Sequence, residues 1–167
     1  LEGMDPIKDF DFLGFTLQYE MCYTNILNML DLAKIPLLAK DRGEGMPFVC
    51  VGGPCAYSAE ALADFVDFYI LGEGEEVNLE VIDVYKEWKK QNATREDFLK
   101  MVSKLDGVYV PSFYEISYND DGTVKAIDTK YDFVPKKVKK RIIKDLDKVY
   151  YPDKFIVPFI EIVHDRI

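Results

Sequence analysis

Three short apolar runs, each followed by a turn and a helix-forming segment, constrain the fold more than any other feature of this sequence. The runs are DFDFLGFTLQ (9–18), PFVCVGG (47–53) and DFYILG (67–72). Short, nearly continuous apolar runs are typical of strands buried on both faces of a parallel sheet. The alternation of strand and helix therefore predicts an α/β sheet with right-handed crossover connections.

The segments that follow the runs carry helical patterns. Apolar residues recur at helical spacing in 23–34, and Ser58 and Thr94 are the predicted N-caps of helices in 58–66 and 94–105. The clearest amphipathic helix is 75–91. Its predicted apolar face consists of Val77, Val81, Val84 and Trp88, flanked by Ile82 and Tyr85.

The pattern changes after the last of these helices. Apolar and polar residues alternate on both sides of Asp121-Gly122, which predicts a β-hairpin with its turn there. The remaining segment opens with cations and closes on the strand-like FIVPFIEIV (155–163), so we interpret it as a partly extended arm. The predicted organisation is an α/β domain over 1–108, a hairpin extension over 109–135 and an arm over 136–167.

Composition excludes several classes of function. The net charge of −9 argues against a general binder of nucleic-acid phosphates and therefore disfavours a nucleic-acid partner. The sequence has no apolar run of 18 residues, which predicts no membrane-spanning helix. Three widely spaced cysteines fit no common metal-ligand pattern and favour a reducing cytoplasm. His164, close to the end, argues against a His-dependent catalytic or metal site.

The loops after the second and third runs are the candidate ligand site. Ligands of open parallel sheets bind at the carboxyl ends of the strands. Gly52 and Gly53 would let a backbone approach a ligand closely, Pro54 stiffens the loop, and Ser58 lies at a helix entry that offers N–H donors. The alternative is that such glycines only make tight turns. Neither GxGxxG nor a Walker lysine is present, which disfavours a nucleotide-binding enzyme.

Other polar and aromatic residues also leave two interpretations open. The acids Glu73, Glu75 and Glu76 are acid/base groups or metal ligands, or they complement the dipole of the helix that they begin. Cys55 is an activated thiol or a small half-buried residue. Tyr19, Tyr23 and Tyr57 line a pocket or pack in the core. The cations Lys136, Lys137, Lys139, Lys140, Arg141 and Lys144 contact RNA or an acidic partner, or they form a solvated face, which is the default.

The order of motifs resembles the second half of the cobalamin-binding domain that precedes the catalytic core of many radical S-adenosylmethionine (SAM) proteins. Gly52-Gly53-Pro54 matches the GGPH-like loop of that group, and Gly72-Glu73-Gly74-Glu75 matches its GEGE loop. The segment KDLDKVYYPDK (144–154) resembles the linker to the catalytic barrel. More closely, the chain resembles the N-terminal part of an uncharacterised bacterial subfamily of these proteins.

The chain departs from that group in three ways. Cys55 stands where histidine is common, the cobalt-ligating DxHxxG loop has no counterpart, and the cluster-binding CxxxCxxC is absent. The resemblance therefore suggests a fragment that begins at the third strand of the domain and precedes the iron–sulfur motif. Such a fragment would leave a sheet edge open, so homo-oligomer formation through that edge is a further expectation.

The resemblance implies a partial Rossmann-like (flavodoxin-like) parallel sheet with helices on its faces, plus the β-hairpin and the C-terminal arm. It implies cobalamin as the cofactor. The residues expected to contact it are Gly52, Gly53, Pro54, Cys55, Ser58, Gly72, Glu73, Gly74 and Glu75. The [4Fe–4S] cluster and S-adenosylmethionine would belong to the parent protein only, and the core of the same parent chain is the expected partner. The chain itself is expected to supply no catalytic residue and no metal ligand. The alternative is a domain that no longer binds cobalamin and serves as an interaction or substrate-presenting module.

Overall fold

The computed structural model describes residues 3–150 together with residues 152 and 154. The predicted strand at 155–163 and His164 lie outside the described residues. The described helices and strands are β1 (Phe12–Thr16), α1 (Tyr23–Leu32), β2 (Phe48–Gly52), β3 (Phe68–Ile70), α2 (Gly74–Lys90), α3 (Arg95–Val102), β4 (Val108–Tyr109), β5 (Tyr114–Tyr118) and β6 (Val124–Thr129).

The main sheet has the strand order β1-β2-β3-β4. Strands β1, β2 and β3 are parallel, and β4 runs antiparallel to β3. Strands β5 and β6 pair as a separate antiparallel hairpin. The predicted α/β class, with a mostly parallel sheet and an added hairpin, is therefore confirmed. Strand β1 lies at the edge of the sheet and, among the described residues, pairs with β2 alone.

Both faces of the sheet are covered because successive strand residues point to opposite sides. Phe48 and Phe68 lie in a core under α2 and α3, with Val77, Val81 and Phe98. The residues Leu17, Ile26, Leu30, Val49, Val51 and Tyr69 lie in a second core on the α1 side. This double burial explains why β2 has no polar alternation in the sequence.

The buried faces of the helices follow the predicted pattern, except that Tyr85 belongs to the buried face of α2. In α2 the buried residues are Val77, Val81 and Tyr85, whereas Ile82 is 43% exposed. Thr94 caps α3 as predicted, since its Oγ1 accepts a hydrogen bond from the Asp97 N–H at 3.2 Å. The Asp97 carboxylate in turn accepts from the Thr94 N–H at 3.0 Å, which completes a capping box.

The connection between β2 and β3 differs from the prediction. An α-helix beginning at Ser58 was expected, but Pro54–Leu62 is a 3-10 segment with a kink at Ser58 (φ −94°, ψ 45°) and no side-chain cap. A 3-10 helix rises about 2.0 Å per residue against 1.5 Å for an α-helix. The segment is therefore wound more tightly, and is longer for its number of residues, than the expected α-helix. The Tyr69 hydroxyl fixes it by donating to the carbonyl of Ala59 at 2.9 Å.

The hairpin turn lies where the sequence placed it. The Asn119 N–H donates to the Thr123 carbonyl at 2.8 Å, and Gly122 has φ +81°. Phe113 and Val134, on either side of the hairpin, pack in the same core as Phe68 and Val108. Of the helices that the structure describes, none combines the length and the apolar character needed to cross a lipid bilayer.

Candidate functional site

The candidate loops meet at one edge of the sheet, as predicted. Thr16 pairs with Gly52 at the ends of β1 and β2, and β3 ends beside them at Ile70. We call this end of the three parallel strands the carboxyl edge. The loop after β2 is attached to β1 there, because the Leu17 N–H donates to the Gly52 carbonyl at 2.8 Å and the Cys55 N–H donates to the Leu17 carbonyl at 3.0 Å.

Gly53 is required by the turn itself. It adopts φ +98°, where other residues are strained, and a Cβ at this position would lie 2.9 Å from the Leu17 carbonyl oxygen and from Cγ2 of Thr16. A Cβ at Gly52 would lie 3.6 Å from the Ile70 carbonyl oxygen, which is an ordinary contact distance, so Gly52 needs no such freedom. The space beside Gly53 is therefore filled by the end of β1.

Gly72 faces another part of the same chain. It adopts φ +104°, and a Cβ there would overlap the carbonyl oxygen of Arg141 and lie 2.7 Å from its nitrogen. The Arg141 N–H donates to the Leu71 carbonyl at 2.7 Å, and the Glu73 N–H donates to the Arg141 carbonyl at 3.2 Å. Gly72 and Arg141 thus form a short parallel bridge. We call this joining of residues 141–143 to residues 71–73 the Arg141 clasp.

The acids of the GEGE loop and of α2 complete the clasp. The Glu73 carboxylate accepts a hydrogen bond from the Ile143 N–H. The Arg141 guanidinium donates to Glu76 at 2.9 Å and to Glu80 at 2.6 Å, and these hydrogen bonds raise the pKa of Arg141 above its ordinary value. Glu75 and Glu76 also lie in the first turn of α2, where negative charge complements the helix dipole.

The other predicted site residues lie around these contacts. Pro54 and Ser58 are exposed, Glu75 is exposed, and Gly74 begins α2. Cys55 is half-buried and its carbonyl accepts from the Tyr23 hydroxyl at 3.4 Å. Of the three tyrosines, Tyr23 packs against the α1-side core. Tyr19 and Tyr57 do not pack in the core, because they are 54% and 56% exposed.

The surroundings of Cys55 do not activate its thiol. Desolvation is the largest effect and raises the pKa of Cys55, and the nearby Glu20 side chain raises it further. Burial likewise raises the pKa of Cys50, in β2, to about 12. A thiolate is the reactive form of cysteine. The structure therefore favours the interpretation of Cys55 as a small half-buried residue.

We expect alkylation of Cys55 by iodoacetamide to rise with pH at a midpoint above that of an unperturbed thiol, which is about 8.5. A variant with Cys22→Ser and Cys50→Ser isolates this reaction. Adding Glu20→Gln should lower the midpoint, because a negative charge beside the thiol is removed. A midpoint for Cys55 below the unperturbed value of about 8.5 would instead support an activated thiol.

Sequence reasoning missed a buried ionic cluster beside the start of β3. Asp67, which directly precedes β3, accepts hydrogen bonds from Arg42 at 3.2 Å, Arg95 at 3.0 Å and the Val49 N–H at 2.7 Å. Arg42 also donates to three backbone carbonyls, those of Pro36, Leu37 and Phe65. A charged residue at the start of a wholly apolar strand was the available signal.

The cationic run divides into two parts. Arg141 is held by the clasp, so it does not belong to a solvated face. Lys136, Lys137, Lys139, Lys140 and Lys144 are exposed. Over residues 3–150, 152 and 154, no group of three or more His, Cys, Asp or Glu side chains is placed to hold a metal ion. The arrangement at the carboxyl edge is suited to holding a polypeptide segment by backbone hydrogen bonds and ion pairs.

Comparisons with known proteins identify the family. Residues 1–111 match the family described as "Radical SAM proteins, N-terminal". The chain is also 30% identical over 131 residues to a protein of Methanocaldococcus jannaschii named "Uncharacterized protein MJ0966". That alignment covers 71% of this chain and 28% of the relative, so the chain spans well under half of that protein. No solved structure matches the chain.

The family match covers β1 to β4 and both glycine loops. The chain therefore belongs to the family of N-terminal domains of radical SAM proteins.

Proposed function

We propose that this accessory domain works as an interaction module, which joins the radical SAM core of its parent protein and fixes the orientation of the chain that leads to it. The observation that carries this proposal is the Arg141 clasp. The segment that follows the hairpin is fastened to the GEGE loop by backbone hydrogen bonds on both sides of Gly72 and by the Arg141 ion pairs. The GEGE loop thus binds residues 141–143 of the same chain.

The packing around Gly53 and Gly72 supports the interaction module over a corrinoid site. The space that a Cβ would fill is occupied at Gly53 by the backbone of Leu17 and at Gly72 by the backbone of Arg141. The Glu73 carboxylate and the Glu73 N–H are likewise used by Ile143 and Arg141. Gly53, Gly72 and Glu73, three of the residues expected to face the ligand, are therefore engaged by protein.

Corrinoid binding is the second candidate function. The observation that favours it is the position of both glycine loops at one carboxyl edge, where ligands of open parallel sheets bind. Pro54 and Ser58 are exposed there and would contact the rim of a corrinoid. None of the residues at this edge is a cobalt ligand that we would name, since Cys55 stands where related loops carry histidine.

The chemistry of the parent protein lies outside this chain. An iron–sulfur cluster bound in the core would supply the cleavage of S-adenosylmethionine to a radical, and this domain would supply binding and orientation. We keep the division into 1–108, 109–135 and 136–167 as part of the proposal, with pairing of two copies through the open edge of β1. A reducing cytoplasm is the proposed compartment, supported by the free thiols of Cys22, Cys50 and Cys55.

A spectroscopic titration distinguishes the two candidates. We expect the purified parent protein, incubated with hydroxocobalamin and passed through a desalting column, to retain no corrinoid and to leave the visible spectrum unchanged. Stoichiometric retention would overturn the interaction module and favour the second candidate. Ser58→Trp is the control, because it blocks the exposed rim of the loop. Specific binding would be lost in that variant, whereas nonspecific uptake would persist.

A further inference from the structure

We propose that exposed aromatic, methionine and aliphatic side chains at the carboxyl edge form the surface on which the radical SAM core of the parent chain packs. This inference rests on the proposed function and names the surface that performs it. It arises from Tyr19, Met21 and Tyr57, which lie in the loops after β1 and β2 and are 54%, 78% and 56% exposed.

These three side chains belong to one patch because their loops are joined. The Cys55 N–H donates to the Leu17 carbonyl at 3.0 Å, and the Tyr23 hydroxyl donates to the Cys55 carbonyl at 3.4 Å. The loop that carries Tyr19 and Met21 is therefore held against the loop that carries Tyr57.

The arm adds a second half to this surface. Ile142 within the clasp is 57% exposed, and Leu146 and Tyr150, which follow it, are 67% and 87% exposed. Neighbouring strands lie about 4.8 Å apart, so the ends of β1 and β3 are separated by about 10 Å. The clasp at the end of β3 thus places the start of the arm at the same edge of the sheet as the loop patch.

The composition of this surface is that of an interface core. Contiguous exposed apolar patches on soluble domains mark interaction sites. Tyrosine and methionine are enriched at the centres of protein–protein interfaces, whereas lysine and glutamate are depleted there. Glu20 and Glu75, which are also exposed near these loops, would lie at the rim.

The occupant to which we commit is the core of the same parent chain. The arm that leads toward the core is fastened at this edge by the Arg141 clasp, so the chain leaves the domain beside the patch. The family is that of N-terminal domains of radical SAM proteins. The alignment covers 28% of the matched relative, so most of that protein lies outside it. The remaining polypeptide thus includes a domain-sized partner tethered next to the surface.

Site-specific photo-crosslinking in the full-length parent protein tests this surface. Tyr57 is replaced with p-benzoylphenylalanine, and the expected result is an intramolecular crosslink to peptides that follow residue 167. The matched control is the same replacement at Leu32, which is 69% exposed at the far end of α1 beside residues that precede β1. The Leu32 position should give no crosslink to the core.

Three results would overturn the inference: crosslinks only between two copies, no crosslink from Tyr57, or equal crosslinking from both positions. A variant with Met21→Asp and Tyr57→Asp provides a second measurement. This double variant should increase amide hydrogen exchange at least fivefold in peptides of the radical SAM core, whereas Leu32→Asp should not. Because corrinoid retention is measured separately, a core contact without crosslinks from Tyr57 would refute this surface and leave the interaction module intact.

Discussion

Replacing Asp67 with alanine is expected to lower the free energy of unfolding by about 3–5 kcal/mol, the usual cost of removing one partner of a buried ion pair. Asp67 is 4% exposed and accepts hydrogen bonds from two guanidiniums and from the Val49 N–H. Its loss would leave Arg42, which is 4% exposed, with an uncompensated buried charge. Urea unfolding followed by circular dichroism measures the change.

Two variants sharpen this test. Asp83→Ala removes an exposed carboxylate paired with Lys86 at 3.2 Å and is expected to cost at most about 1 kcal/mol. Asp67→Asn keeps an acceptor for the Val49 N–H while removing the charge, so its cost should fall between the two. If Asp67→Ala destabilised the protein no more than Asp83→Ala does, the ionic cluster would not be a main support of the sheet.

The strands and helices were predictable because their signals are local. The apolar run at 47–53 indicates a strand buried on both faces, and the helical spacing in 75–91 indicates a helix buried on one face. Both elements form where expected. Thr94 as a cap and Asp121-Gly122 as a turn likewise depend on neighbours within four residues. The 3-10 segment was missed because helix-forming residues behind a serine favour an α-helix locally, whereas the contact of the Ala59 carbonyl with Tyr69 is made by a later strand.

The candidate site was predicted in position but not in content. Strand order alone brings Gly53 and Gly72 to one edge, so a resemblance and a sheet rule sufficed to find the place. Arg141 fills the space beside Gly72, although it lies far from Gly72 in the sequence, after the hairpin. A cationic run in sequence does not reveal that one of its members pairs with Glu76 and Glu80 on α2.

Replacing Gly72 with alanine is expected to release the Arg141 clasp. The new Cβ would overlap the Arg141 carbonyl, and alanine is strained at φ +104°, so the protein should lose about 1–3 kcal/mol of stability. Amide exchange should accelerate at Arg141 and Glu73, whose N–H groups donate across the clasp. Hydrogen exchange measured by mass spectrometry should show an increase of at least tenfold, which corresponds to about 1.4 kcal/mol.

Gly45→Ala separates the two causes of this effect. Gly45 also has positive φ, at +81°, but no heavy atom lies within 4 Å of the position of its Cβ. Alanine there carries the conformational strain without the overlap, so exchange at Arg141 and Glu73 should remain as in the unmodified protein. Equal acceleration in both variants would mean that general destabilisation, and not contact with Gly72, controls the arm. Acceleration confined to Gly72→Ala would establish the GEGE loop as the site that fastens the arm to the domain.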